Sequence, residues 1–159
     1  MKNLIHFLNG KFVNEDKLLI SPRDLGFYRG YAIHDFIVTY NHKPFKLQEH
    51  IDRLFQSAKI IGLDIPWPKK QIAQWAKETF SKNGKATEHM MAIFITGGKS
   101  YYMKKANAPT IIMMVNPRLF KPASDYEKGI KAITYQYQRP YPHAKTNSYL
   151  EGVKQLSLP

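Results

Sequence analysis

An α+β fold, an antiparallel sheet carrying two helices, is predicted from three observations. An Asn-Gly pair near the start separates two short apolar runs. Two stretches with helical spacing lie together between residues 47 and 83. Strand-like runs stand on either side of that helical pair instead of alternating with it, which favours segregated elements over a doubly wound sheet.

Each element follows from local chemistry. Ile5-His6-Phe7-Leu8 and Lys11-Phe12-Val13 flank Asn9-Gly10, the pair best suited to the positive φ angles of a type I′ turn, so residues 5–13 read as a β-hairpin. A polar stretch follows to Asp24. Tyr31 to Tyr40 mixes β-branched and aromatic residues and is broken by Asn41-His42-Lys43-Pro44, which predicts a strand and turn, with Phe45 starting the return. Leu47, Ile51, Leu54, Phe55, Ala58 and Ile61 form one apolar stripe, and Gly62 follows as a stop, so the spacing predicts a helix over 47–61. A second helix starts near Pro68, buries Ile72, Trp75, Ala76, Thr79 and Phe80, and ends at Asn83-Gly84. Strands are predicted at Met90–Thr96, Thr110–Val115 and Ile130–Tyr137. The Pro-bearing stretch from Asn116 to Ala123 separates the last two.

Composition narrows the function. The chain has 159 residues, and with 43% hydrophobic and 13% aromatic content it can build a core, which excludes wholesale disorder. Its longest apolar runs are five or six residues, against about 20 for a membrane span. The opening Met1 to His6 has no apolar stretch of signal-peptide length, so a soluble cytoplasmic protein is expected. The absence of cysteine excludes disulfides, thiolate metal sites and a Cys nucleophile. The net charge of +12 is lopsided: residues 1–66 hold 9 basic and 7 acidic side chains, residues 67–159 hold 15 and 5. Such a surplus attracts anions without choosing among nucleic acid, membrane surface and small phosphates or carboxylates.

Several motifs bear on chemistry. Gly97-Gly98-Lys99-Ser100 follows a strand, but a phosphate loop needs a glycine where Ile93 stands, so a plain turn is expected. The six histidines show no i,i+3 or i,i+4 pairing, and no metal site is expected. No Gly-x-Ser-x-Gly elbow is present. Tyr101-Tyr102-Met103-Lys104-Lys105 and Tyr135-Gln136-Tyr137-Gln138-Arg139 interleave rings with cations as single-strand binders do, yet alternating Tyr and Gln equally marks a half-buried strand.

The run Asp24-Leu25-Gly26-Phe27-Tyr28-Arg29-Gly30-Tyr31-Ala32-Ile33-His34-Asp35-Phe36 leads into Tyr40-Asn41-His42-Lys43-Pro44-Phe45 and Glu49-His50-Ile51-Asp52-Arg53-Leu54. Together these resemble the class IV (fold-type IV) pyridoxal-phosphate enzymes, which include branched-chain and D-amino acid aminotransferases and aminodeoxychorismate lyase. Their pattern is D-R-G-x-x-x-G-x-G-x-[FY]-E, then a strand and turn, then E-H-[ILV]-x-R-L. Leu8-Asn9-Gly10-Lys11-Phe12-Val13 agrees as well, and Lys145-Thr146-Asn147-Ser148-Tyr149-Leu150 is similar to the K-T-x-N-Y-L around the family's catalytic lysine.

The resemblance implies roles. Lys145 matches the lysine that forms a Schiff base with pyridoxal phosphate and moves the substrate's α-proton. Arg53 matches the arginine that binds the cofactor phosphate; on a helical wheel it lies roughly 140° from the apolar stripe, pointing away from the helix's own core. Tyr149 matches the tyrosine near the cofactor's ring hydroxyl. His34 takes the place of a Phe or Tyr lining the substrate side, with Tyr31 and Tyr28 in the same segment; ordinary strand packing is the competing reading for these three. A homodimer and amino acid and 2-oxo acid substrates are implied, and membrane or nucleic-acid partners are not.

Departures bear on specificity. Leu25 replaces the Arg of D-R-G, Ala32 the following Gly, and Asp35 the usual Glu. Val38 and Gly97 stand where members carry arginines that serve substrate carboxylates. Ser148 occupies the usual Asn position, with Asn147 one place early. The family continues into a second domain after its lysine, whereas 14 residues follow Lys145 here. The expected organisation is an N-terminal α+β domain over 1–116, a linker over 117–125, and the opening strands of an incomplete cofactor domain over 126–159, so that the chain resembles a truncated member. An aminotransferase is implied. A lyase-like enzyme, or a non-catalytic basic remnant that dimerises or binds nucleic acid, stands as the alternative.

Overall fold

A computed structural model describes residues 4–102 and 108–156. Six strands form one antiparallel sheet: β1 (Ile5–Leu8), β2 (Lys11–Asn14), β3 (Ala32–Tyr40), β4 (Lys43–Pro44), β5 (His89–Thr96) and β6 (Thr110–Pro117), in the spatial order β2-β1-β6-β5-β3-β4. The hairpin turn between β1 and β2 places Asn9 at φ 47° and Gly10 at φ 89°, as the Asn-Gly pair requires. A second tight turn, at Asn41 (φ 49°) and His42 (φ 59°), returns β3 into β4.

Two helices, α2 (Leu47–Ile61) and α3 (Lys69–Lys82), cover one face of the sheet. The apolar stripe of α2 buries Ile51 and Leu54 completely, and Gly62 at φ 68° closes the helix through its N–H to the Ala58 and Lys59 carbonyls. Strand alternation decides which residues these helices meet. Ile33 and Ile37 on β3, Met91, Ile93 and Ile95 on β5, and Ile111, Met113 and Val115 on β6 face the helices and are fully buried. Burial of each such side chain contributes about 1.5–3 kcal/mol. The opposite face carries His34, Phe36 and Val38 beside Phe94, Ala92 and Met90, then Ile112 and Met114. There Phe36 is exposed.

The α+β class, the hairpin and the two helices match the sequence reading. Two elements differ from it. The polar stretch ending at Asp24 leads into a short helix, α1 (Leu25–Arg29), whose first turn is capped by the Asp24 carboxylate accepting from the Gly26 N–H at 2.8 Å and whose end is Gly30 at φ 67°. Residues 130–137 form no strand: the described chain after β6 holds two short helices, α4 (Ala123–Lys128) and α5 (Leu150–Leu156). Alternating Tyr and Gln supplies two faces but no neighbouring strand to satisfy the backbone, and Tyr135 and Tyr137 stack on each other, half-exposed. Of the first basic aromatic run, Met103-Lys104-Lys105 lies outside the described residues. Among the described residues no helix is long and apolar enough to cross a membrane.

Candidate functional site

The free edge of β3 organises the site. β5 pairs with one edge of β3 along Ala32–Val38, while β4 covers the other only at Thr39 and Tyr40. The open portion receives residues 145–147. The His34 N–H donates to the Lys145 carbonyl at 2.9 Å, and the Asn147 N–H donates to the Ala32 carbonyl at 3.1 Å. Thr146 sits opposite Ile33 in an antiparallel bridge. The Lys145 N–H then donates to Ser57 Oγ on α2 at 3.0 Å, so helix and strand together fix the backbone of this lysine.

On the face of the sheet away from the helices, Lys145 Nζ lies in a cleft of about 520 Å³ lined by His34, Phe36, Phe94, Lys145, Asn147 and Tyr149. Nζ donates to Tyr149 Oη at 3.4 Å and sits 5.5 Å from the Phe36 ring centre. His34 is buried against the rings of Phe36, Phe94 and Tyr149, at 5.3, 5.7 and 5.4 Å. Its Nδ1 meets Asn147 Oδ1 at 2.9 Å. With that oxygen facing the ring, Nδ1 carries the hydrogen and Nε2 is left as an acceptor. Burial lowers the His34 pKa and the Lys145 charge lowers it further, against the Asn147 bond and Asp35, which raise it.

On the helix side of β3 an ionic cluster backs the cleft. Asp35 is fully buried and accepts from Arg53 Nε at 2.7 Å, Arg53 Nη2 at 2.6 Å, His50 Nδ1 at 2.9 Å and the Phe36 N–H at 2.7 Å. Burial alone would raise the Asp35 pKa, but the Arg53 and His50 hydrogen bonds and charges outweigh it and hold the carboxyl below its ordinary value. The Arg53 pKa is raised in turn, chiefly by its bond to Asp35. His50, Arg53 and Ser57 recur at three and four residues along α2, so one helix face supplies both the clasp on Asp35 and the Ser57 anchor of Lys145.

Of the residues singled out from sequence, Lys145, Tyr149 and His34 meet in one cleft. Arg53 stands on the helix side of the same strand and does not line that cleft, although its charge acts on His34 and interacts with Tyr149. Tyr28 and Tyr31 are not brought to it. Tyr28 is exposed under the Arg29 guanidinium, and the Tyr31 hydroxyl donates to the Gly62 carbonyl at 2.7 Å. Sequence reasoning missed Phe94, Asn147 as the partner of His34, and Ser57. The three- and four-residue spacing around Arg53 was the available signal for Ser57, whereas the other two depend on strand register. Among the described residues no group of three His, Cys, Asp or Glu could hold a metal.

Comparison with known proteins places these features in context. A family profile described as "Amino-transferase class IV" matches residues 32–157. A Methanocaldococcus jannaschii protein provisionally assigned as a branched-chain-amino-acid aminotransferase is 33% identical over 154 residues, covering 92% of this chain and 52% of that protein. The D-alanine aminotransferase of Staphylococcus aureus is 30% identical over 137 residues, covering 86% of this chain and 43% of its own length. In structure, the branched-chain amino acid aminotransferase of Escherichia coli superposes with a TM-score of 0.82 at 21% identity, over 96% of this chain and 54% of that one, a likeness of fold. The chain thus spans about half the length of the relatives it matches.

Proposed function

Because the chain belongs to the class IV amino-transferases, we propose that it carries the lysine-bearing part of a site that moves an amino group between an amino acid and a 2-oxo acid. The observation that carries this reading is the placement of Lys145: its backbone is fixed by β3 and Ser57, and its amine is held in an aromatic cleft 3.4 Å from the Tyr149 hydroxyl. In this reading residues 1–116 are the N-terminal domain, 117–125 the linker and 126–159 the opening of the cofactor domain. A second copy of the chain is its partner.

The residues present fit pyridoxal phosphate. The cleft offers an amine beside flat aromatic walls, and the Arg53 clasp on Asp35 uses Nε and Nη2, leaving Nη1 without a partner among the described residues. Lys145 and Tyr149 would hold the cofactor's reactive end, and Arg53 its phosphate. When bound, that group supplies an aldehyde that bonds the amino nitrogen and a ring that takes up the electron pair. Lys145 Nζ then holds and moves the proton at the substrate carbon, within reach of Tyr149 Oη. Tyr149 keeps the amine oriented. His34, locked against three rings and Asn147, presents Nε2 as a fixed acceptor, and Phe36 and Phe94 exclude water and suit an apolar side chain.

The test is direct. The purified chain mixed with pyridoxal phosphate should develop a visible absorbance band, and borohydride should lock the added mass onto the peptide containing Lys145. Labelling spread over other lysines, or no band, would overturn the reading for this chain.

A further inference from the structure

A second cleft, of about 270 Å³, adjoins the lysine cleft and shares Tyr149 as a wall. Its lining includes two guanidinium groups: Arg29 at the end of α1 and Arg139 in the segment leading to Lys145. Around them stand hydroxyl groups of Tyr137, Tyr141, Ser148 and Tyr149, and the lining contains no carboxylate. The contrast with Arg53 is informative. That arginine is clasped at both Nε and Nη2 by the buried Asp35, whereas neither Arg29 nor Arg139 forms an ion pair with any described residue. Arg29 lies over the Tyr28 ring at 3.6 Å and gives one N–H to the Tyr28 carbonyl at 3.0 Å. Arg139 lies 5.5 Å from the Tyr149 ring centre. Stacking holds both guanidinium groups in place while leaving N–H donors uncommitted.

We propose that this cleft is a binding site for a small oxyanion, a carboxylate or a phosphate. Two like charges on one concavity repel each other and are weakly compensated until an anion enters, and the guanidinium fork matches planar and tetrahedral oxyanions through paired N–H donors. The surrounding hydroxyls supply neutral donors that complete the shell. The volume lies at the small end of ligand clefts, which excludes a bulky occupant. Because Arg139 lies against Tyr149, and the Tyr149 hydroxyl receives the Lys145 amine, a bound anion sits one side chain away from Nζ. The site therefore suits either the distal carboxylate of a substrate or a free phosphate. It stands on the cleft alone and does not rest on the proposed transamination.

The experiment titrates the full chain with succinate and, separately, with inorganic phosphate at low salt, followed by calorimetry and tyrosine fluorescence. One saturable site is expected for at least one anion, and which of the two binds identifies the source. Arg29→Gln and Arg139→Gln should each weaken it by about 10-fold or more, as loss of a charged hydrogen-bonding partner does. Arg29→Lys and Arg139→Lys, which keep the charge without the fork, should weaken it less. Arg118→Gln, whose arginine stacks on Tyr40 and Phe120 elsewhere, should leave the affinity unchanged. Circular dichroism and thermal melting report whether each variant folds. No saturation by either anion below about 10 mM, an affinity indifferent to both glutamine variants, or loss in Arg53→Gln alone would overturn the proposal.

Discussion

The guanidinium of Arg53 and the carboxylate of Asp35 meet along two hydrogen bonds, 2.7 Å from Nε and 2.6 Å from Nη2, although one residue is half-exposed on α2 and the other is fully buried on β3. The pair ties the helix to the strand whose free edge carries Lys145. The asymmetry in burial sets what each truncation does.

Arg53→Ala leaves the buried Asp35 carboxylate with His50 as its remaining side-chain partner. A loss of about 3 kcal/mol is expected, at the low end for broken buried pairs because Arg53 is half in solvent. Asp35→Asn removes the buried charge itself and should cost less. Urea unfolding of both variants and of the double variant at pH 7 measures this, and equal costs would show that the burial asymmetry is irrelevant.

Acid should act in two stages. His6 is buried, its Nδ1 accepts from the Val115 N–H at 3.1 Å, and its Nε2 has no partner among the described residues. Burial holds its pKa below the ordinary value, against Glu15, which raises it. Below the ordinary histidine value, about 6.5, the unfolded chain takes up a proton that the fold resists, so stability falls from about pH 7 toward pH 5. Asp35, also held low, keeps its contribution above the ordinary aspartate value, about 3.9, and loses it as pH falls through its lower folded value. The urea midpoint against pH should show both limbs. His6→Gln, which keeps an acceptor for Val115, should flatten the upper limb; an unchanged upper slope would refute the assignment.

The Asn147 bond to His34 raises the His34 pKa. Asn147→Ala should therefore move the His34 titration further down, readable in the imidazole proton resonances. An upward movement would show that Asn147 presents its NH2 group to the ring instead.

Asn83 is a structural clasp that its position as a helix end concealed. Its Oδ1 accepts from the Ile5 N–H at 2.9 Å, and its Nδ2 donates to the Ile5 and Thr79 carbonyls, both at 2.8 Å. The residue is buried and joins α3 to β1. Asn83→Ala strands backbone groups of Ile5 and should cost about 2–3 kcal/mol. Chemical denaturation checks the size, and Asn83→Asp, which keeps the acceptor and loses the Nδ2 donors, should fall between the two.

Local spacing by itself determined the hairpin at Asn9-Gly10, the helix over 47–61 with its Gly62 stop, and the strand from Ala32 to Tyr40, because turn geometry and helical period act over a few neighbouring residues. The motif around Lys145 likewise pointed to its chemistry without a structure. Tertiary structure decided the rest. Residues 130–137 had the alternation of a strand, but a strand exists only with a partner to receive its backbone hydrogen bonds. The register of β3 against β5 put His34 beside Phe94 and turned Asp35 toward α2, a choice that sequence alternation allows but that pairing alone makes. Docking of residues 145–147 on the open edge of β3 brought Asn147 to His34 across 113 residues. Local sequence specifies short-range geometry, whereas the meeting of distant side chains depends on which edge of the sheet is left free and on what folds back to cover it.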